Sequence, residues 1–148
     1  MARQSVWERL AVDSLRSIEL KRQSFENVQE RLTKLKLELS GLKGTAASLA
    51  PAVGGELNKE EVRRTDCIAL QRELTISYKQ LKNDIDSFDR AWDGMEENER
   101  LVLSRFFIER TRDYIDRLCD DLNYEKSKVY QIKDEALYKF TMQMYGRY

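Results

Sequence analysis

The sequence contains no histidine, a single proline and only six glycines among its 148 residues. Histidine is the commonest general base and metal ligand, so its absence leaves a serine or cysteine nucleophile without its usual activating partner. The neighbouring acidic residues Asp120 and Asp121 would point about 100° apart on a helix and would not share a site. We therefore expect a protein that is not an enzyme and that has no cofactor, no metal and no small-molecule substrate.

The chain also lacks an excess of charge of either sign and any long hydrophobic run. Its 26 basic residues balance 26 acidic ones, and its pI is near 6.4, which is not the strongly basic composition of a stand-alone nucleic-acid binder. No segment approaches the roughly 18 apolar residues of a membrane span. The first residues are too polar for a signal peptide. These features predict a cytoplasmic protein with no membrane partner.

What the chain does have is charge and helical periodicity. Charged residues make up 35% of the sequence, and the mean hydropathy is −0.66, which indicates long helices with a large polar surface. Cys67 and Cys119 each lie within a helical pattern, which favours two buried or half-buried thiols over a disulfide. The composition therefore predicts an all-α fold.

Two apolar series in the first two thirds of the chain have the spacing of a coiled-coil seam. Both alternate three and four residues: Phe25, Val28, Leu32, Leu35, Leu39 and Leu42, then Leu74, Tyr78, Leu81, Ile85, Phe88 and Trp92. Cys67, seven residues before Leu74, continues the second series upstream. The helices that carry these series have similar lengths, so we expect them to fold back on each other as an antiparallel hairpin over residues 1–94. The segment of about 41–58 is rich in Gly, Ala and Ser, and we expect it to be a mobile loop.

Residues 95–148 show three shorter amphipathic patterns. Apolar residues recur at helical spacing in Leu101–Phe107, in Tyr114–Leu122 and in Val129–Phe140. Asn123 follows the second pattern and tolerates the left-handed conformation, so we expect a tight turn near residues 123–126. This is the layout of a helix-turn-helix module whose last helix has one exposed face.

The exposed face of that last helix, residues 125–144, has chemistry suited to DNA. If Val129, Ile132 and Ala136 point inward, the opposite side presents polar side chains. Glutamine, serine and lysine are residue types that bind base edges, and we expect base contacts from Ser127, Lys128, Tyr130 and Gln131, and phosphate contacts from Lys126, Lys133 and Arg112. The same spacing is typical of an ordinary solvated helix face, so the pattern alone does not decide between the two.

The run NERLVLSRFFIER, followed by YIDRLCDDLNYEKSKVYQIKDEALYKFTMQMYG, resembles the C-terminal module of phage late transcription regulators of the ArpU/RinA-like group. Its last two helices are also similar to region 4 of sigma factors. The strongest resemblance is VYQIKDEAL, Val129–Leu137. The chain departs from the pattern at Glu125, where Ser or Thr is common, and at Gln131, where Arg is common. The resemblance implies a late-gene activator that binds double-stranded DNA and contacts host RNA polymerase in a bacterial or phage-infected cell.

The nearly equal numbers of basic and acidic residues limit the DNA affinity that we expect of the chain alone. Basic residues outnumber acidic ones from residue 126 onward: Lys126, Lys128, Lys133, Lys139 and Arg147 against Asp134 and Glu135. Several arginines, among them Arg110, lie just upstream. We expect weak DNA binding by a monomer, strengthened by a weak homodimer or by the polymerase. Two alternatives stay open: a helical protein-interaction module without DNA binding, and a DNA-packaging protein resembling the small subunit of phage terminases.

Overall fold

The computed structural model describes residues 4–46 and 54–148, and every secondary-structure element in this part of the chain is helical. Five α-helices follow one another: α1 (Val6–Ala46), α2 (Gly54–Asp93), α3 (Glu97–Leu103), α4 (Tyr114–Leu122) and α5 (Lys126–Tyr145). A π-helical segment, Ser104–Ile108, extends α3. The all-α prediction is confirmed. No helix among the described residues is long and apolar enough to cross a membrane.

The predicted loop at about 41–58 is too long at both ends. Helix α1 continues to Ala46, and α2 already begins at Gly54. Each glycine inside a helix costs only about 1 kcal/mol relative to alanine. The two glycines in the last turns of α1, Gly41 and Gly44, are therefore too few to end a helix of this length. The remaining positions of the predicted loop, 47–53, lie outside the described residues.

Contacts divide the chain into two compact units. The five-helix unit contains the chain up to Lys21 and Asp84–Tyr148, and the two-helix unit contains Arg22–Asn83. Residues 84–93, which the sequence pattern assigns to the hairpin, therefore group with the C-terminal helices. The five-helix unit is built from the first turns of α1, the last turns of α2, and α3, α4 and α5.

Helix α5 supplies the centre of the five-helix unit. Phe140 is fully buried, and its ring lies 5.4 Å from that of Phe88 and 6.3 Å from that of Trp92. Near the C-terminal end of α5, Tyr145 packs on Trp7 of α1 at 5.6 Å. A second group of buried side chains joins α3, the π-helical segment, α4 and α5: Val102, Phe106, Leu118 and Val129. Apolar side chains of all five helices thus form the core of this unit.

In the two-helix unit, side chains of the two predicted seams meet. The ring of Phe25 stacks on Tyr78 at 4.9 Å, and Glu38 forms an ion pair with Arg63 at 2.7 Å. Cys67 is buried, and burial raises the pKa of its thiol above the usual value. Cys119, in the five-helix unit, is half-buried and also free. The prediction of two free, buried or half-buried thiols is confirmed.

One carboxylate stabilises both the start of α3 and its packing on α5. Glu99 Oε1 accepts a hydrogen bond from the backbone N–H of Glu96 at 2.9 Å and one from Lys139 Nζ at 3.0 Å. Only 16% of the Glu99 side chain is exposed.

Glu99→Ala removes the cap and leaves the half-buried ammonium of Lys139 unpaired, so we expect the free energy of unfolding to fall by about 1–3 kcal/mol.

Urea denaturation followed by tryptophan fluorescence measures this loss. The matched control is Glu97→Ala, because Glu97 lies in the same helix turn but is exposed, and this change is expected to stay within about 0.5 kcal/mol of the wild type. Equal effects of the two substitutions would contradict the role assigned to Glu99.

Candidate nucleic-acid interface

The segment between α4 and α5 is short. Helix α4 ends at Leu122, Asn123 adopts the left-handed conformation with φ 55° and ψ 42°, and α5 begins at Lys126. The backbone N–H of Tyr124 donates to the Cys119 carbonyl at 3.2 Å, which closes the end of α4. The turn lies where the sequence pattern predicts it, and Asn123 has the predicted left-handed backbone.

Glu125 is the N-cap of α5, with extended backbone at φ −73° and ψ 161°. Its side chain makes no capping hydrogen bond. Since a serine at this position can accept a hydrogen bond from a free N–H of the first turn, Glu125→Ser is expected to raise the free energy of unfolding by about 0.5–1 kcal/mol. Chemical denaturation measures the change, and Glu125→Ala serves as the control that removes the charge without supplying a cap. A serine variant no more stable than the alanine variant would contradict the expectation.

The inward and outward faces of α5 are those predicted from helical spacing. Val129, Ala136 and Phe140 are fully buried, and Ile132 is half-buried. All four side chains proposed to contact bases are exposed in the first turns of the helix: Ser127, Lys128, Tyr130 and Gln131. The structure therefore brings these four side chains onto one accessible surface, which we call the α5 face.

Neighbouring groups orient two members of the α5 face. The Gln131 side-chain amide donates to Glu135 Oε1 at 3.1 Å, one turn further along the helix. This bond lies on the exposed surface of the helix. The ammonium of Lys128 lies 6.0 Å from the centre of the Tyr124 ring in the turn. Glutamine can pair with adenine through two hydrogen bonds, and lysine binds guanine or phosphate.

Two of the three residues proposed to contact phosphate lie together. Arg112 and Lys126 line one surface hollow of about 410 Å³ at the start of α4. Arg110 lines it as well and donates to the Tyr114 hydroxyl at 2.8 Å. The Lys126 ammonium is 3.9 Å from Asp116, but 71% of the lysine side chain is exposed. Such an exposed pair is weak and is easily exchanged for another anion.

Lys133, the third proposed phosphate contact, has different surroundings. Only 22% of its side chain is exposed, and its ammonium pairs with Asp134 at 2.7 Å. The ammonium also lies 5.8 Å from the centre of the Phe106 ring and 5.9 Å from that of Tyr130. Cation–π contacts at this distance stabilise the protein itself. Lys133 thus contributes packing in addition to charge, which sequence spacing did not indicate.

Acidic side chains near this surface limit its positive charge. Four acidic side chains are exposed close to the basic residues named above: Asp116, Glu125, Asp134 and Glu135.

Among residues 4–46 and 54–148, no cluster of three or more potential metal ligands is present. The chain matches no protein-family model, no curated protein and no solved structure.

Proposed function

We propose that this protein is a DNA-binding transcription regulator, of the kind that the resemblance to phage late regulators and to sigma-factor region 4 implies. The observation that carries the proposal is the sequence of α4, a three-residue turn and α5, with four exposed polar side chains on the α5 face. In a helix-turn-helix, the first turns of the second helix enter the major groove and contact bases.

In this proposal, α5 lies in the major groove and the hollow at the start of α4 binds the DNA backbone. Ser127, Lys128, Tyr130 and Gln131 contact base edges, while Arg112, Lys126 and Lys133 contact phosphates. Phosphate contacts fix the register of the protein on DNA, and base contacts select the sequence. The stacked Phe25 and Tyr78 and the ion pair of Glu38 with Arg63 support an antiparallel hairpin, which provides surface for protein partners such as host RNA polymerase.

A salt-titrated binding assay tests the proposal. Purified protein is titrated against DNA fragments from its own genomic neighbourhood, with and without host RNA polymerase. We expect one fragment to bind more tightly than the others, and polymerase to strengthen that binding. The affinity should fall as salt rises, because binding releases counterions from the phosphates.

Lys128→Glu is the diagnostic variant, because it places a negative charge on the α5 face at an exposed position. Lys82→Glu is the matched control: Lys82 is equally an exposed helix residue but lies on α2 in the two-helix unit. Binding should be lost in the first variant and kept in the second. Equal affinity in the two variants would contradict the assignment of the α5 face.

The alternative is a helical protein-interaction module. The acidic side chains beside the α5 face favour it, because Asp116, Glu125 and Glu135 repel DNA phosphates. Absence of binding to any fragment from low to physiological salt, with and without polymerase, would select this alternative.

A further inference from the structure

The two-helix unit has a one-sided seam and little core of its own. Among its described side chains, only Cys67 is buried, and the seam residues around it, such as Phe25, Leu74 and Tyr78, are half-buried. This is the pattern of two helices in contact along a narrow seam. The outer face of α2 remains open to solvent.

That outer face carries an apolar stripe. Val62, Ala69 and Ile76 follow one another at seven-residue intervals, a spacing that keeps side chains on one side of a helix. Val62 is 60% exposed and Ile76 is 59% exposed, and Ala69 is exposed as well. Cys67 lies five residues after Val62, or about 140° around the helix. The outer stripe therefore faces away from the seam with α1.

Charges of opposite sign border the outer stripe. On one edge lie Lys59, Asp66 and Glu73, and on the other lie Glu61, Arg72 and Lys79. Each of these six side chains is exposed, and none forms an ion pair within the described part of the chain. The positions of these charges decide which partner fits this face, and whether a partner helix runs parallel or antiparallel to α2.

From this arrangement we infer that the outer stripe binds a second copy of this chain, with the two α2 helices parallel. A two-fold axis along the helices then places opposite edges of the two copies side by side. Lys59 meets Glu61 of the second copy, and Glu73 meets Arg72 of the second copy. Both pairs occur twice by symmetry. The small side chain of Ala69 at the centre allows the helices to approach closely.

The antiparallel alternative has a worse charge pattern. Identical edges then face each other, so that Asp66 lies beside Glu73 of the second copy, twice by symmetry. The favourable pair of Glu61 with Lys79 of the second copy offsets this repulsion, whereas the parallel arrangement has two favourable pairs and no such repulsion. Like charges directly opposed in an interface disfavour that arrangement. Because the stripe has only three apolar layers, the dimer is expected to be weak and to dissociate further as salt screens its ion pairs.

Dimerisation through the outer stripe does not require DNA binding. If the proposed function is correct, a dimer carries two α5 faces and can contact two half-sites. If DNA binding fails, the dimer is still expected from the α2 surface alone.

Sedimentation equilibrium over a range of protein concentrations measures the association. The wild type should show a monomer–dimer equilibrium, and Ala69→Glu should raise the dissociation constant by about tenfold or more, since it places two like charges at the centre of the interface. Circular dichroism should show unchanged helix content, because position 69 is exposed. Leu37→Glu, at an exposed position of α1, is the control and should leave association unchanged.

Two further variants determine the direction. Arg72→Glu should weaken the parallel dimer, in which Arg72 meets Glu73, and should leave an antiparallel dimer unchanged. Val62→Cys, in a chain whose Cys67 and Cys119 are replaced by alanine, should form a disulfide-linked dimer with oxidised glutathione as the oxidant, because the two Val62 positions are adjacent only in the parallel pair. A monomer at every concentration, or a dimer unaffected by Ala69→Glu, would overturn the inference. Cross-linking only between Val62→Cys and Ile76→Cys chains would overturn the parallel direction.

Discussion

Phe140→Ala is expected to destabilise the five-helix unit more than any other single substitution considered. The ring is fully buried and makes edge-on contacts with Phe88 and Trp92. Its truncation removes the transfer free energy of a large apolar side chain and leaves a cavity between α2 and α5. Phenylalanine-to-alanine changes at such sites cost about 3–5 kcal/mol. That is a large share of the roughly 5–15 kcal/mol by which domains are stable.

Tryptophan fluorescence during urea denaturation measures the effect in the correct part of the molecule. Both tryptophans of the chain, Trp7 and Trp92, belong to the five-helix unit, so their emission reports on this unit. Met142→Ala is the control, because Met142 is on the same helix but exposed; it should change the free energy of unfolding by less than about 1 kcal/mol. A loss below 1 kcal/mol for Phe140→Ala would show that the cluster of three rings is not the core of the unit.

Helical periodicity predicted the faces of the helices well. The inward positions of α5, such as Val129 and Phe140, are buried, and the exposed positions follow from the same 100° step. The turn at Asn123 was also predictable, because few residue types tolerate a left-handed backbone at the end of a helix. These features depend on local sequence alone, and a single chain contains that information.

The partners of the apolar stripes were less predictable. Ile85, Phe88 and Trp92 continue the seam of α2, and the pattern assigns them to the hairpin. In the structure, Phe88 and Trp92 contact Phe140 of α5. A heptad pattern shows which face of a helix is buried, but the same pattern fits any helix that packs against it. Which helix packs there depends on the complementary shapes of side chains that are far apart in the sequence. The spacing of apolar residues within one helix carries no information about those shapes.

The surroundings of Lys133 illustrate the same limit at the candidate interface. From helical spacing we expected this lysine to contact phosphate, but its ammonium lies over the rings of Phe106 and Tyr130. Phe106 belongs to the π-helical segment, which no periodic signal in the sequence predicted. The backbone N–H of Glu109 bonds to the Ser104 carbonyl at 2.7 Å, five residues back. This altered winding changes the direction of the side chains that follow α3.

Gln131→Ala and Lys126→Ala are expected to affect DNA binding in different ways. Gln131 is proposed to contact a base, so its loss should reduce the preference for the selected fragment over a scrambled one by about 1–3 kcal/mol. Lys126 is proposed to contact phosphate, so its loss should weaken binding to every sequence alike. The slope of log affinity against log salt should then decrease by about one. Lys133→Ala should lower both DNA affinity and protein stability, because its ammonium pairs with Asp134 and lies over two rings.

Lys126→Ala is therefore the better test of a phosphate contact, because it should not affect packing. Lys133→Met is the control for Lys133→Ala, because methionine keeps the packing of the side chain and removes its charge. The measurement is a salt-titrated binding assay on the selected and scrambled fragments, with urea denaturation of each variant in parallel. If Gln131→Ala and Lys126→Ala both leave sequence preference and salt slope unchanged while the variants stay folded, α5 is not a recognition helix. If only Gln131→Ala is without effect, α5 still contacts DNA, but Ser127, Lys128 or Tyr130 carries the selectivity, because these are the remaining exposed side chains on the same turns.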